Sequence, residues 1–338
     1  MSKTSICDVA TLAGVSIATV SRTFAHPEKV SASTRAKVMR AAEQMDFTVS
    51  RTAGELKTGK SYRITLLIGS SKIEWFSAAI IEGLNSVLNK NGYDLVIHLL
   101  EGVEQRKNFF KELPLRANTD AIIVSSFDIS SSEAEQLQRI NVPIVGINCT
   151  ASKVLSASIG IDDALGIKLA IQHLATLGHK RLLYVYEHFC SSFRFSSSRR
   201  ITSFENVCNN IDGMQGKVLP IDIKDDPIDA TLSELFTQEN PPTAICFHQD
   251  STAMPFLFRL QKLGIRVPED LSIIGFDNGT YAKEAGLTTI RQNPKTMAEQ
   301  AGNIAISLIE GKAVARRHLT APVQLIIRNS TAAPKAES

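Results

Sequence analysis

Two periodicities divide this chain. In the first stretch, Ile6, Val9, Ala10 and Ala13 recur at i, i+3, i+4 and i+7, one apolar face of a helix. Gly14 then breaks the pattern where a left-handed residue is cheap, and Val15 gives the turn an apolar anchor. Ser16 can cap a second helix starting at Ile17, because its hydroxyl can accept a free first-turn N–H. Val20 turns toward the first helix, leaving Ile17, Ala18, Ser21 and Arg22 on an outer face. A third helix follows, with Ser31 as cap, Thr34 three residues on, and Val38, Ala41, Ala42 and Met45 at helical spacing. This pattern predicts a helix-turn-helix whose second helix is small enough to enter a major groove.

After residue 60 the pattern becomes an alternation of strands and helices. Short, nearly continuous apolar runs predict strands at Ile64–Gly69, Leu95–Leu100, Ala121–Val124, Ile144–Ile147, Leu182–Val185, Val218–Ile221, Ala244–Phe247 and Ile273–Phe276. Helical spacing covers Ala78–Leu88, Leu165–Leu177 and Met297–Ile309. The βαβα order argues for an α/β body of parallel sheets covered by helices. Two doubly wound sheets fit the length better than one large sheet. A break between them is expected near Ala151–Ile159, where small polar residues replace the periodic pattern. Ligands of such folds sit outside the carboxyl ends of the strands.

Charge sharpens the division. Residues 1–60 carry nine Lys/Arg against five Asp/Glu, while all 338 residues together are only +3. A basic end on a near-neutral body is the asymmetry expected when one end alone meets phosphate. The content of 43% hydrophobic residues is ample for buried cores. No apolar run approaches the about 18 residues of a membrane span. Asp8 interrupts the first apolar stretch and there is no signal-peptide core, so a cytoplasmic protein is expected. Cys7, Cys149, Cys190, Cys208 and Cys246 are scattered without metal-ligand spacing, so neither a disulfide framework nor a metal site is expected.

Here the residues carry a resemblance. Asp8 to Arg22, Asp-Val-Ala-x-Leu-Ala-Gly-Val-Ser-x-Ala-Thr-Val-Ser-Arg, resembles the headpiece of the lactose-repressor/galactose-repressor family of bacterial transcription factors. The likeness returns at Ile161-Asp162-Asp163, His173-Leu174 and Leu177-Gly178-His179-Lys180-Arg181, and at Val267 to Asp277. Leu287 to Ile290 and Ile327 to Thr331 complete it, in order along nearly the whole chain. The resemblance implies a helix-turn-helix headpiece over 1–47 and a hinge over 48–61. It implies a core resembling periplasmic sugar-binding proteins, its N-terminal subdomain at 62–160 and 291–320 and its C-terminal subdomain at 161–290 and 321–332. A disordered tail is expected at 333–338.

The resemblance also implies sites. The family reads bases with the first turn of the recognition helix, where Ile17 and Ala18 stand here; both offer apolar contacts to thymine methyls or to base edges. Arg22 is available for guanine or phosphate, and Ser16, Thr19 and Ser21 for phosphate. Leu56 falls where the family hinge carries a leucine that wedges into the minor groove. Its neighbours depart from the family: Val49 replaces a proline, and Gly54 stands where an arginine is common. In the core, Trp75 and Phe76 follow the first strand, where the family stacks an aromatic on its ligand. Asp162 and Asp277 are carboxylates suited to sugar hydroxyls, and Arg200 matches a family ligand arginine although Ser203 replaces the following glycine. Asp250 fits either a ligand role or a helix cap. Phe127, Asp128, Phe189 and Phe193, on other loops, are weaker candidates.

One motif is a decoy. Gly54 to Ser61 matches the P-loop pattern, but a P-loop needs a buried strand before it and a helix after it, and here the order is reversed. An enzyme reading fares no better: the chain shows no G-x-G-x-x-G after a strand and no G-x-S-x-G elbow, so no catalytic residue and no cofactor are expected. A transport receptor lacks support for want of a signal peptide. The expectation is a homodimeric repressor of carbohydrate-utilisation genes, binding a pseudo-palindromic double-stranded operator under control of a sugar or sugar phosphate. A nucleoside or purine is the alternative effector.

Overall fold

The computed structural model describes residues 4–25, 27–47, 59–70, 72–100, 102–116, 118–149, 153–187, 197–221, 227–237 and 239–335. It forms two compact units, Met1–Ser61 and Tyr62–Ser338.

The first unit contains α1 (Ile6–Ala13), α2 (Ile17–Ala25) and α3 (Ala32–Gln44). Ser5 and Asp8 close a capping box at the start of α1, and Gly14 ends that helix at φ 65°. Thr19 N donates to Ser16 Oγ at 3.1 Å, so Ser16 holds the first turn of α2. Ser31 does the same for α3 through Thr34 N. Val9, Ala10, Val20, Val38, Ala41 and Ala42 are buried together. Burying a valine is worth about 1.5–3 kcal/mol, so a core this small depends on each of these side chains.

The second unit holds two sheets of six strands each. The first runs β11-β5-β4-β3-β1-β2, all parallel, from β1 (Arg63–Ile68), β2 (Asp94–Leu99), β3 (Ala121–Ser125), β4 (Ile144–Ile147), β5 (Ala157–Ile161) and β11 (His318–Ala321). The second runs β12-β10-β9-β8-β6-β7, from β6 (Arg181–Glu187), β7 (Gln215–Ile221), β8 (Ala244–Phe247), β9 (Ser272–Asp277), β10 (Thr288–Arg291) and β12 (Gln324–Ile326). Among the described strands, only β12 is antiparallel to its neighbour. Helices cover the sheets: α4 (Trp75–Leu88), α5 (Gly102–Arg116), α6 (Ser131–Gln138), α7 (Asp163–Thr176), α8 (Ser198–Asn209), α9 (Pro227–Phe236), α10 (Asp250–Lys262) and α11 (Pro294–Ile309). The chain crosses between the sheets after Ile161, after Arg291 and after Ala321. Between the last two crossings α11 packs against α4 and the first sheet.

Three expectations need correction. The segment Ala151–Ile159 is not simply a break, because β5 begins at Ala157 and lies between β4 and β11. Its small residues suit a strand buried in mid-sheet, where Ala157 and Ile159 are wholly enclosed. Helix α11 starts before Met297, because Pro294 occupies its first turn and Asn293 caps it. The expected tail is not wholly free, since Lys335 pairs with Asp270. The decoy motif is followed by β1 and not by a helix, so no helix N-terminus faces a phosphate there.

Candidate functional site

In the first unit, α2 turns Val20 inward and leaves Ser16, Ile17, Ala18 and Arg22 exposed, Ile17 to 49%. Thr19 and Ser21 are half-buried. Ser16 Oγ and Thr19 Oγ1 lie 2.9 Å apart at the helix start, where first-turn N–H groups are directed outward. An exposed isoleucine beside two hydroxyls and a guanidinium is a poor packing surface and a good one for a DNA groove. Leu56, Val49 and Gly54 lie outside the described residues, as do Phe189 and Phe193.

In the second unit, strain gathers at the carboxyl ends of the strands. Ser126 after β3 has φ 68°, Asn148 after β4 has φ 49°, and Asp277 and Asn278 at the end of β9 have φ 119° and 56°. Such conformations persist only where surrounding contacts hold them. Around Asp277 those contacts are polar and buried. Arg200 Nε donates to Asp163 Oδ1 at 2.7 Å and Nη1 donates to His248 O at 2.8 Å, with Asp277 Oδ1 3.9 Å away. The guanidinium lies 3.6 Å from the centroid of the Phe276 ring. Burial pushes Asp277 up to about 7 despite Arg200. Burial and Arg200 hold His248 down to about 3, so its imidazole is neutral; Nδ1 lies 3.1 Å from Tyr184 Oη.

Asp250 spans β9. Its Oδ2 accepts from Gly279 N at 2.7 Å and its Oδ1 from Thr289 Oγ1 at 2.7 Å. A Cβ on Gly275 would lie 2.1 Å from Asp250 Oδ1, so only glycine lets the carboxylate pass. Burial pushes Asp250 up to about 6. Glu187, at the end of β6, accepts from Thr252 Oγ1 at 2.7 Å and from Gln249 Nε2 at 3.0 Å. Burial raises its pKa, and Glu74 from the opposite subdomain raises it further. Trp75 is half-buried, its ring 3.9 Å from where a Cβ on Gly279 would stand. The carboxyl ends of the two sheets therefore meet here, with Trp75 of one set against the Gly279 turn of the other and polar groups on both sides.

Two family models match the chain: "Bacterial regulatory proteins, lacI family" over residues 5–50 and "Periplasmic binding protein-like domain" over 171–331. The chain belongs to the lacI family of bacterial regulatory proteins. It is 28% identical over 332 residues to the HTH-type transcriptional repressor PurR of Vibrio campbellii, covering 96% of this chain and 98% of that one. It is 29% identical over 344 residues to the HTH-type transcriptional regulator DegA of Bacillus subtilis, covering 97% and 98%. The structure of the lac repressor dimer bound to operator and the anti-inducer ONPF matches with TM-score 0.82 at 25% identity, over 98% of this chain and all (100%) of that one. These relatives are regulators and not enzymes. Among the described residues, no helix is long and apolar enough to cross a membrane.

In this lacI-family chain, the meeting of the two sheets' carboxyl ends treats the sequence-selected residues unequally. Arg200, Asp277, Asp250 and Trp75 gather around the ends of β8 and β9. Asp162 is engaged elsewhere, since its Oδ1 accepts from Leu165 N at 2.9 Å and caps α7, while its neighbour Asp163 takes the buried arginine. Asp250 is not the cap of α10, which is Gln249, and both its oxygens are occupied by protein donors. Phe76 packs against the main core, and Phe127 is wholly buried under the Arg106 guanidinium, 4.6 Å from its ring centroid. Sequence reasoning passed over Asn148, Asp163, Glu187, His248 and Gln292. Applying the strand-end rule to every strand selects all of these except Asp163.

Proposed function

We propose that this chain is an effector-controlled repressor that binds a pseudo-palindromic operator as a homodimer. The observation that carries the reading is the outer face of α2, where Ile17, Ala18 and Arg22 stand exposed on a small basic unit. Ile17 and Ala18 contact base edges, Arg22 a guanine or phosphate, and Ser16, Thr19 and Ser21 the backbone. Leu56 acts as a wedge in the minor groove. A two-fold protein presents two such faces to two half-sites one helical turn apart. The chain works in the cytoplasm, where its DNA is.

The effector occupies the cleft between subdomains bounded at 62–160 with 291–320 and at 161–290 with 321–332. Trp75 supplies a stacking wall, and Arg200 and Asp277 supply a donor and an acceptor, while Asp162, Asp250 and Phe76 hold the surrounding loops. Carboxylates, hydroxyls and amides in such density suit a polyhydroxylated ligand, and we favour a sugar or sugar phosphate. A purine or nucleoside is the second reading, supported by Trp75 and by the likeness to proteins named PurR. A gel shift with the DNA upstream of the chain's own gene tests the regulator; failure to shift that DNA or any palindromic variant of it contradicts it. Calorimetry with sugars, sugar phosphates, nucleosides and purines separates the two effector readings.

A further inference from the structure

Asn148 meets two of the crossings between the subdomains. Its Oδ1 accepts from Ile161 N at 3.1 Å, where β5 leads into the first crossing. Its Nδ2 donates to Gln292 Oε1 at 3.4 Å, where β10 leads into the second. Gln292 Nε2 then donates to Asp277 Oδ1 at 2.6 Å, and Gln292 N donates to Asp277 O at 3.3 Å. Asn148, Gln292 and Asp277 are all buried. The orientation of both amides follows from one backbone group. Ile161 N–H can only donate, so Asn148 must turn Oδ1 toward it and Nδ2 away. Gln292 must then offer Oε1 to Asn148 and Nε2 to Asp277. The donors run one way and end on a carboxylate.

We propose that Asn148, Gln292 and Asp277 form a hinge clamp, in which the charge on Asp277 sets how firmly the first two crossings are held together. A hydrogen bond to an ionised acceptor is about twice as strong as one between neutral groups, and a buried chain of such bonds is mutually polarised. Ionised Asp277 therefore tightens both amide links, and protonated Asp277 loosens them. The groups facing Asp277 are Arg200 of α8, Asp163 of α7, Asp250 of α10 and Tyr184 of β6, with His248 beyond Arg200. His248 and Tyr184 are neutral, and Arg200 is charged throughout the physiological range. Burial sets Asp277 to about 7 and Asp250 to about 6, so Asp277 is the group whose charge changes nearest neutrality. The clamp is independent of which effector the cleft takes.

The Ile161 amide reads the clamp directly, because its hydrogen is held by Asn148. Hydrogen–deuterium exchange on the full-length protein, corrected for the intrinsic rate, compares its protection at about pH 5.5 and about pH 8.5. Protection is expected to be several-fold greater at the higher pH. Gln292→Met keeps the length of the side chain and removes both bonds, and should leave Ile161 at its low-pH protection throughout. Asn148→Ser, too short to span the gap, removes the acceptor itself and serves as the second variant, leaving Ile161 less protected still and with no pH dependence. A flat profile in the unsubstituted protein overturns the clamp, as does a pH dependence that survives either substitution.

Discussion

Arg200 and Asp163 form a buried pair, Nε to Oδ1 at 2.7 Å, with side-chain exposures of 6% and 4%. The arginine is thus tied into the protein before any ligand arrives. Its partners come from α7 and from the end of β8, and its plane lies over Phe276. The pair fixes α7 and α8 against each other.

Removing one member takes the nearest partner from the other, leaving Asp163 only Arg199 at 3.8 Å or Arg200 only Asp277 at 3.9 Å as counter-charge. Arg200→Ala and Asp163→Ala are each expected to lower the unfolding free energy by about 3–5 kcal/mol, and the double substitution by less than the sum. Urea denaturation followed by circular dichroism measures this. Losses that simply add would mean that the two side chains do not depend on each other.

Arg22→Ala should weaken specific operator binding while leaving the fold intact, because Arg22 is exposed on α2. A good bidentate base contact is worth about 1–3 kcal/mol, and a dimer loses it at both half-sites. Fluorescence anisotropy at fixed salt gives the affinity. Unchanged binding would assign base reading to other residues of α2.

The proposed homodimer should depend on exposed apolar side chains. Phe258 on α10 is 60% exposed and Leu263 just beyond it 56%. Phe258→Glu places a charge where an apolar contact is expected and should shift the protein toward monomer in analytical ultracentrifugation, with the melting temperature of the monomer little changed. A dimer of undiminished strength would move the interface to another face.

Stability should respond to pH with opposing slopes. Asp277 at about 7 and Asp250 at about 6 lie above the ordinary carboxylate value, so the folded state binds more protons than the unfolded in that window. Each therefore subtracts stability as pH rises through it. His248 at about 3 lies below the ordinary histidine value, so the unfolded state binds more protons there and stability rises with pH. Between roughly pH 4 and 6 the one rising trend offsets only part of the two falling ones. In Asp277→Asn one of the two falling contributions is removed, so between about pH 4 and 7 the urea midpoint should rise relative to that of the unsubstituted protein as pH increases. Parallel curves would show that Asp277 does not titrate in this window.

Much of the fold is legible in the chain because its determinants are local. Ser16, Gly14 and Ser31 specify the ends of three helices through atoms within a few residues of themselves, and the spacing of Val9, Val20 and Val38 specifies what those helices enclose. The buried strands are equally plain, since Ile64, Ile144 and Ala244 begin runs that no solvent-facing helix could carry. β5 and β11 are less plain, because Ala-Ser-Ile-Gly-Ile and His-Leu-Thr-Ala become strands only when the neighbouring edge is present to pair with.

The site divides along the same line. By itself the sequence determined which unit carries the helix-turn-helix and which strand ends could carry polar chemistry. Only the tertiary structure decided what each polar group is for. Asp162 and Asp163 are adjacent, yet one caps a helix and the other holds an arginine 37 residues away. Asn148 finds its partner 144 residues along the chain, across a crossing between sheets. A cap is satisfied by the backbone next to it, so its role is written in the local pattern. A buried carboxylate or amide is satisfied by whatever the fold brings to it, and that partner is set by the packing of both sheets.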